Sequence, residues 1–199
     1  MALVVASHNR GKAQELIDLL APLGFRLALA GDLGLPEPEE TGNTFAENAL
    51  LKARAAASLA RVPAIGDDSG LAVEALAGAP GIYSARWAGA ERDFSHAIQR
   101  VLDEVAQSGH PSRSCAFVCA LALVTPEGEE VCVEAHAPGS LSLQPRGVLG
   151  FGYDPIFVPD GFTATFGEMQ PEEKHELSHR TAAFRKLLPR LQKLAGAQS

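Results

Sequence analysis

The amino-acid sequence has no hydrophobic run long enough to cross a membrane. Its longest purely apolar stretch, residues 115–124, has ten residues, whereas a membrane-spanning helix needs about twenty. The first six residues, 1–6, contain neither a basic leader nor a full apolar segment, so we expect no signal peptide. Together these absences favour a cytoplasmic protein without a membrane partner.

Cysteine is also scarce, and its number is odd. The three cysteines, Cys115, Cys119 and Cys132, all lie within apolar runs, which predicts small buried side chains in a reducing compartment. No CxxC spacing or group of histidines accompanies them, so the sequence does not indicate a zinc site.

Positive charge is in the minority. The 199 residues include 17 Lys and Arg against 24 Asp and Glu, which gives a formal net charge of −7. An acidic surface repels phosphate backbones and anionic lipids, so we expect neither nucleic acid nor a membrane surface as a partner. The hydrophobic share of 46% is typical of a globular protein with a sizeable core.

Hydrophobic patterns of strands and helices occur in turn, which predicts an α/β or α+β protein with a mixed sheet. We predict strands at residues 3–6, 25–29, 71–76, 115–124, 131–137 and 155–158. We predict helices that begin near Gly11, cover residues 45–60 and 97–105, and close the chain over residues 184–194. Thr44 and Glu47 have the spacing of a capping box at the start of the second helix.

The polar loop after the first strand has the features of an anion site. It reads Ser7-His8-Asn9-Arg10-Gly11-Lys12 and leads directly into a helix. The free N–H groups and positive dipole end of a helix attract anions, and Lys12 adds a full charge. The spacing of a Walker loop is absent. The alternative is a solvated turn in which Asn9 only caps the helix.

Two acidic segments have the ligand chemistry of magnesium. Asp67 and Asp68 follow a short apolar run and precede Ser69, so we expect them at a strand end. Carboxylates in such a place hold Mg²⁺ together with substrate phosphates, although an Asp-rich turn is an alternative. Glu39 and Glu40 form a second acidic loop just before the Thr44 helix.

Three further patterns complete the candidate site. Phe151 and Tyr153 lie in a Gly-containing loop, where aromatic rings either stack on a base or pack in the core. Ser178 is a candidate N-cap of the last helix, with His179 and Arg180 behind it and Lys174 just before. Asn48 and Lys52 share a helix face at i,i+4, which the sequence alone assigns more readily to solvent than to a polar cleft. Jointly, these patterns fit a Mg²⁺–nucleoside triphosphate.

Six segments occur in an order typical of one known family. They are Ser-His-Asn-Arg-Gly-Lys with Glu15, Glu-Thr-Gly-Asn-Thr-Phe-Ala-Glu-Asn-Ala, Gly-Asp-Asp-Ser-Gly-Leu-Ala-Val, Gly-Ala-Pro-Gly-Ile-Tyr-Ser-Ala-Arg, Phe-Gly-Tyr-Asp-Pro-Ile-Phe and Ser-His-Arg. The pattern covers residues 3–191 and resembles the non-canonical purine nucleoside triphosphate pyrophosphatases, the RdgB-like or inosine triphosphate pyrophosphatase family. The resemblance implies a mixed α/β fold with an elongated mixed sheet, two lobes and an active-site cleft between them. It further implies a single domain over residues 1–199 and a homodimer.

The same resemblance implies an activity and a role for each motif residue. The activity is Mg²⁺-dependent hydrolysis of ITP, dITP and XTP to the monophosphate and pyrophosphate, which cleanses the nucleotide pool. Asp68 is the implied general base and touches the metal, and Glu40 helps to hold Mg²⁺. The triphosphate is gripped by Ser7, His8, Asn9, Arg10, Gly11 and Lys12. The rest of the substrate site is formed by Ser69, Lys174, Phe151, Gly152, Tyr153 and Asp154, with Phe151 stacked on the purine, and by His179 and Arg180 at its 6-keto edge.

His8 departs from the family pattern, because many relatives carry a small Gly at this place. An imidazole there either crowds the phosphates or donates to them when protonated. Asp67 has no implied role, and one carboxylate of the pair is structural if the two point to opposite faces of a strand. Two other hypotheses stay open: a pyrophosphatase for pyrimidine or modified nucleotides, and a nucleotide-binding regulatory module without turnover.

Overall fold

A computed structural model describes residues 1–196 and shows a mixed α/β fold with one six-stranded sheet in the order β2-β1-β3-β4-β5-β6. The strands are β1 Ala2–Ala6, β2 Arg26–Leu29, β3 Ala64–Val73, β4 Ser114–Val124, β5 Glu130–Leu141 and β6 Phe157–Pro159. β1 runs parallel to both β2 and β3, and β6 runs antiparallel to β5. The helices are α1 Arg10–Leu20, α2 Phe45–Ala60, α3 Ser84–Trp87, α4 Phe94–Ser108, α5 Pro171–Leu177 and α6 His179–Gly196.

The chain divides into two compact units. The first contains residues 1–68, 119–135 and the C-terminal residues from 180 onward, and the second contains residues 69–118 and 136–179. The single domain, and the cleft between two lobes that the resemblance implies, stay predictions. Residues 197–199 of that predicted domain lie outside the described residues.

In the first unit, helices cover both faces of the sheet. Leu16 of α1 and Leu187 of α6 pack with Leu3 of β1 in one fully buried cluster. On the other face, Ala49 and Ala53 of α2 pack in a separate cluster that is rich in alanine. Small side chains let a helix lie close to the sheet, so α2 brings its polar residues near the backbone of β3.

In the second unit, α4 packs against a core of aromatic rings. α4 begins at the N-cap Asp93, whose carboxylate accepts from the Ser95 N–H at 2.9 Å. Its apolar face joins a cluster that contains Phe117, Phe157 and Phe166. Phe157 and Phe166 lie with their ring centroids 4.8 Å apart. These buried rings give the second unit a hydrophobic core of its own.

Most of the predicted elements are confirmed. The opening strand, the helix after it, the capped helix Phe45–Ala60, the long strand β4 and the closing helix are all present. The Thr44 side chain accepts from the Glu47 N–H as predicted, but the Glu47 carboxylate accepts from Asn43 N–H instead of closing the box on Thr44. β6 begins two residues later than the predicted strand, and α3 and α5 were not predicted.

The strand end predicted around Asp67 and Asp68 is wrong. β3 runs without a break from Ala64 to Val73, so both carboxylates lie inside a strand, and residues 74–76 form a 3-10 turn rather than its continuation. The alternative of an Asp-rich turn is wrong as well, and the two glycines that flank the aspartates serve close packing. A Cβ at Gly66 would collide with the carbonyl oxygen of Ala49, and one at Gly70 with the side chain of Ser84.

The three cysteines are reduced. Cys115 and Cys119 are buried, as predicted, whereas Cys132 is only partly buried. Within residues 1–196, no helix combines the length and the apolar character needed to cross a membrane.

Candidate functional site

The loop before α1 forms a structured helix cap in the first unit. The Asn9 side chain accepts from the Lys12 N–H at 3.1 Å, and the Asn9 N–H donates to the Ser7 hydroxyl at 3.3 Å. Ser7 is buried, and Arg10, the first residue of the helix, is exposed. Gly11 follows it in the first turn. The N-terminus of an eleven-residue helix therefore lies at the end of β1, where its dipole favours an anion.

Asp67 lies in a closed group of charges on the face of β3 that α1 and α6 cover. Arg180, which is 1% exposed, donates its Nε–H to Asp67 Oδ2 at 2.7 Å and also forms an ion pair with Glu15. The Lys12 ammonium lies 3.7 Å from the other oxygen of Asp67. Cys119 Sγ lies 3.5 Å from the Asp67 carboxylate. Asp67 is thus surrounded by two cations that the fold fixes in place.

Asp68 points to the opposite face of β3, toward α2. Lys52 Nζ lies 2.9 Å from Asp68 Oδ1 and 2.5 Å from Glu40 Oε1, and it also donates to the Asp67 carbonyl oxygen at 3.2 Å. Asn48, one turn before Lys52, donates to Asp68 Oδ2 at 3.4 Å. The solvent-exposed interpretation of this helix face is therefore wrong, because Asn48 is 1% and Lys52 8% exposed.

The two neighbouring aspartates have opposite electrostatic environments. Burial would raise the pKa of Asp67, but attraction to Arg180 and Lys12 and the hydrogen bond from Arg180 together hold that pKa well below its usual value. Burial raises the pKa of Asp68, and the attraction of Lys52 and Lys12 offsets this only in part. Asp67 therefore stays ionised to lower pH than an ordinary aspartate, whereas Asp68 accepts a proton more readily than one.

The lysines of the first unit also differ. Burial lowers the pKa of the Lys12 ammonium, and Asp67 opposes this only in part. Burial would also lower the pKa of Lys52, but Asp68 and Glu40 together raise it. Lys52 is therefore a firmly held cation, whereas Lys12 gains more from a further anion such as a phosphate.

The donor set around Lys52 fits a hard divalent cation. Glu40 and Asp68 both contact one ammonium group, so their oxygens converge on a point that already holds a positive charge. Mg²⁺ is usually bound by one or two carboxylates together with water and substrate phosphates. Among residues 1–196, no group of three or more His, Cys, Asp or Glu side chains has the geometry of a complete protein metal site. The two carboxylates therefore fit a metal that the substrate helps to bind.

The second unit contains a separate polar group around Asp154. Its carboxylate accepts from Lys174 Nζ at 2.7 Å and from the Phe151 N–H at 2.8 Å. The Lys174 ammonium also lies 4.4 Å from the centre of the Phe151 ring. Gly150 has φ +73°, and a Cβ there would collide with Asp154. Asp154 thus fixes both the Phe151 backbone and the Lys174 cation beside its ring.

Three other predicted substrate residues in the second unit, Ser69, Tyr153 and His179, are buried, and Gly152 is partly buried. The Tyr153 hydroxyl donates to the Ser84 carbonyl oxygen at 2.9 Å, and its ring packs edge-on against Phe94. The His179 ring stacks on Phe117 with centroids 4.8 Å apart. Ser69 is also buried, and Gly152 adopts φ +64° beside Tyr153. The substrate roles of all these residues stay predictions.

Sequence analysis missed part of the site in the first unit. Glu15 lies in the first family motif, and the resemblance implies no role for it, although it is an ion-pair partner of Arg180. The contacts of Asn48 and Lys52 with Asp68 were also missed. Their i,i+4 spacing places both on one face of α2, but only the structure shows that this face is buried against Asp68. His8 turns its imidazole to the carbonyl oxygen of Leu35.

Comparison with known proteins agrees with the motifs. The sequence profile of the Ham1 family matches residues 3–190. The chain is 56% identical over 189 residues to the dITP/XTP pyrophosphatase of Rhodospirillum centenum, which covers 94% of this chain and 93% of the relative. It is 53% identical over 195 residues to the dITP/XTP pyrophosphatase of Rhodopseudomonas palustris, with 93% of each chain covered.

Solved structures agree as well. The structure of a HAM1 protein from Coxiella burnetii superimposes with a TM-score of 0.89 at 37% identity, covering 97% of this chain and 99% of that one. The family resemblance predicted from the motifs is therefore confirmed, and the chain belongs to the Ham1 family.

Proposed function

We propose that this protein is a nucleoside triphosphate pyrophosphatase that converts the non-canonical purine nucleotides dITP, XTP and ITP to monophosphates and pyrophosphate. The observation that carries the proposal is the group formed by Asp68, Glu40 and Lys52, in the same unit as the N-terminus of α1 and Lys12. The names of the relatives, dITP/XTP pyrophosphatases, support the same activity.

The loop before α1 is the proposed binding site for the triphosphate. Its N–H groups at the helix N-terminus and the Lys12 ammonium supply positive charge to an anion. Burial lowers the pKa of Lys12, so an added phosphate charge would favour its protonated form. Charge neutralisation of this kind stabilises pyrophosphate as it leaves, and it needs no covalent bond to the protein.

Asp68 is the proposed general base. It accepts a proton from a water molecule as the water oxygen bonds to the α-phosphorus and the bond from that phosphorus to the pyrophosphate oxygen breaks. A carboxylate whose pKa is raised by burial is a better proton acceptor than an ordinary aspartate. Asn48 and Lys52 hold its two oxygens, so its orientation is set before substrate arrives.

Mg²⁺ is the proposed cofactor, and Glu40 and Asp68 are the residues that would hold it. When bound, the ion would neutralise phosphate charge and lower the cost of forming hydroxide from water. Lys52, which already lies against both carboxylates, would keep them close together before the metal arrives.

Base recognition is proposed for residues of the second unit and for Arg180. Phe151, with the Lys174 cation beside its ring, offers an aromatic face to a purine. Donors from His179 and Arg180 would favour the 6-keto group of hypoxanthine and xanthine and leave the 6-amino group of adenine unpaired. Arg180 donates its Nε–H to Asp67 and its Nη1–H to Glu15, so a hydrogen bond to the base would have to be made in addition to these contacts.

Pyrophosphate release from ITP, XTP, dITP, ATP and GTP, in parallel with Mg²⁺ and with a chelator, tests the proposal. We expect Mg²⁺-dependent release from the first three and little from ATP or GTP. The same assay with dTTP and UTP distinguishes a pyrimidine enzyme. Tight ITP binding without any release would instead favour the regulatory module. A cytoplasmic location and a homodimer complete the proposal, and the mass of the protein in solution tests the latter.

A further inference from the structure

The segment between β2 and α2 contains Glu40 but no helix or strand. Its first part is held by a turn in which the Leu35 N–H donates to the Ala30 carbonyl oxygen at 2.9 Å. Its end is fastened to α2, where the Gly42 N–H donates to the Asn48 side chain at 2.9 Å. The position of Glu40 therefore depends on how firmly the chain is held at Leu35 and at Gly42, on either side of it.

His8, in the loop before α1, contacts this segment at Leu35, the residue whose N–H closes the turn at the first end. Its Nε2 lies 3.2 Å from the Leu35 carbonyl oxygen, and since a carbonyl only accepts, Nε2 carries the proton and donates. Its Nδ1 lies 3.9 Å from Glu37 Oε1. His8, Pro36, Pro38 and Lys52 all line one cavity of about 10 Å³. The histidine is thus packed under the segment that leads to Glu40.

The sequence of this segment makes it stiff. Residues 35–40 read Leu-Pro-Glu-Pro-Glu-Glu, and each proline fixes its own φ and restricts the residue before it to extended conformations. The prolines also have no N–H to donate, so the segment relies on its carbonyl and side-chain contacts. A hydrogen bond at Leu35 therefore restrains the direction in which the chain reaches Glu40, five residues later.

We propose that His8 is a positioning residue for Glu40: it fastens the segment of residues 35–40 to the loop before α1, so that the Glu40 carboxylate is held beside Asp68 and Lys52. The proposal deepens the function proposed above and rests on it for the metal. It assigns the His8 side chain to the protein's own backbone rather than to a substrate phosphate. The loop before α1 would then both bind the triphosphate and fix the position of Glu40, a proposed metal ligand.

Three variants separate this role from a general effect of substitution at residue 8. His8→Gln keeps an amide N–H at about the reach of Nε2. His8→Asn has the same amide at the reach of Nδ1, which is too short for the Leu35 carbonyl oxygen. His8→Ala removes the donor altogether. Ser7 and Asn9 keep their cap hydrogen bonds in all three variants, because the substituted side chain takes no part in them.

Hydrogen exchange of the protein without metal and nucleotide is the first measurement. Losing one hydrogen bond of average strength should speed exchange of the amides at residues 39–43 by about five-fold in His8→Ala and His8→Asn, with His8→Gln close to wild type. Exchange within α6 should not change. Equal exchange in wild type and His8→Ala, or equal behaviour of the Asn and Gln variants, would overturn the proposal.

The second measurement is the Mg²⁺ concentration that gives half-maximal pyrophosphate release at saturating ITP. We expect it to rise by about five-fold in the Ala and Asn variants, with a smaller change in KM for ITP. A rise in KM alone would show that His8 contacts the phosphates, which contradicts the proposal. A wild type that releases no pyrophosphate would overturn the proposed function, while the exchange result would still decide whether His8 holds the loop.

Discussion

Asp67 and Asp68 are neighbours in the sequence, yet they belong to two different chemical environments. Asp67 lies on the face of β3 that α1 and α6 cover, between the two cations Arg180 and Lys12. Asp68 lies on the α2 face and shares the single cation Lys52 with a second carboxylate, Glu40. The alternation of side chains along a strand separates the pair and so gives one residue type two uses.

The charges around each carboxylate indicate which of the two is structural. A buried anion with two fixed cations is fully neutralised, so its pKa falls and a proton gains nothing there. An anion that competes with another carboxylate for one cation keeps a net burial penalty, so its pKa rises. Asp67 therefore links β3 to α1 and α6, and Asp68 is the carboxylate to which we assign the proposed proton transfer.

The largest effect is expected for Asp68→Asn on turnover. An amide cannot accept the proton of water, so kcat should fall by about 10²–10⁴-fold, the usual contribution of a general base. The variant should still fold, because the amide oxygen can accept from Lys52. Pyrophosphate release and calorimetric binding of ITP measure the two properties. Turnover at the wild-type rate would remove Asp68 from the base role, and Asp18→Asn, an exposed change on α1, is the matched control.

Asp67→Asn should lower the stability of the fold and should affect turnover less than Asp68→Asn does. Removing one partner from a buried ion pair leaves the other charge uncompensated, and since Glu15 still contacts Arg180 we expect a loss of about 3 kcal/mol in the free energy of unfolding. Urea denaturation measures it, again beside Asp18→Asn. If Asp67→Asn were as stable as wild type while its turnover vanished, the roles of the two aspartates would have to be exchanged.

The pH dependence of stability should have opposite signs at the two residues. The pKa of Asp67 is lowered on folding, so its contribution is present above the ordinary value of 3.8 and is lost as the pH falls further, through the folded-state value. The pKa of Asp68 is raised, so its unfavourable contribution at neutral pH is relieved as the pH falls through the raised value toward 3.8. Urea denaturation between about pH 7 and pH 3 should therefore show that the free energy of unfolding falls less steeply with decreasing pH in Asp67→Asn than in wild type. A parallel profile would contradict the assignment.

The sequence could predict the order of elements but not the continuity of β3. Continuous apolar runs located β1 and β4, a capping box and an alanine-rich body located α2, and apolar residues at helical spacing located α1 and α6. Gly66 and Gly70 look like turn residues, yet each is needed because another part of the chain packs directly against it. Such close approach depends on tertiary packing, which local patterns do not contain.

Within the site, motif resemblance pointed to Asp68, Glu40 and Lys12 but not to their partners. The link between Arg180 and Asp67 joins residues 113 positions apart, so no spacing rule could predict it. The contact from Lys52 to Asp68 required knowing which face of α2 is buried. Long-range ion pairs are therefore the part of this site that only the structure supplies.

Gly66→Ala tests the packing that holds Asp68 under α2. The added methyl group would meet the Ala49 carbonyl oxygen and the Ala53 nitrogen, both of them backbone atoms that cannot rotate away. We expect a loss of about 1–3 kcal/mol in the free energy of unfolding, typical of an overpacked site, together with a lower kcat as α2 moves from β3. Gly24→Ala is a poor control because its φ of +74° strains any side chain, so Gly196→Ala, which has open space, is preferable. An unchanged stability of Gly66→Ala would show that α2 shifts freely.

The smallest effect is expected for the exposed ion pair of the same unit. Arg54 donates Nε–H and Nη2–H to the two Glu130 oxygens, each at 2.6 Å, a geometry as good as that of the buried pair. Water solvates both partners once they separate, so Arg54→Ala should lower the free energy of unfolding, measured by urea denaturation, by less than about 1 kcal/mol. The difference from wild type should be smaller still in high salt. A cost as large as that of Asp67→Asn would mean that pair geometry, rather than burial, sets the stability of these ion pairs. The contrast between the two faces of β3 would then have to be explained by hydrogen-bond geometry instead of by enclosure.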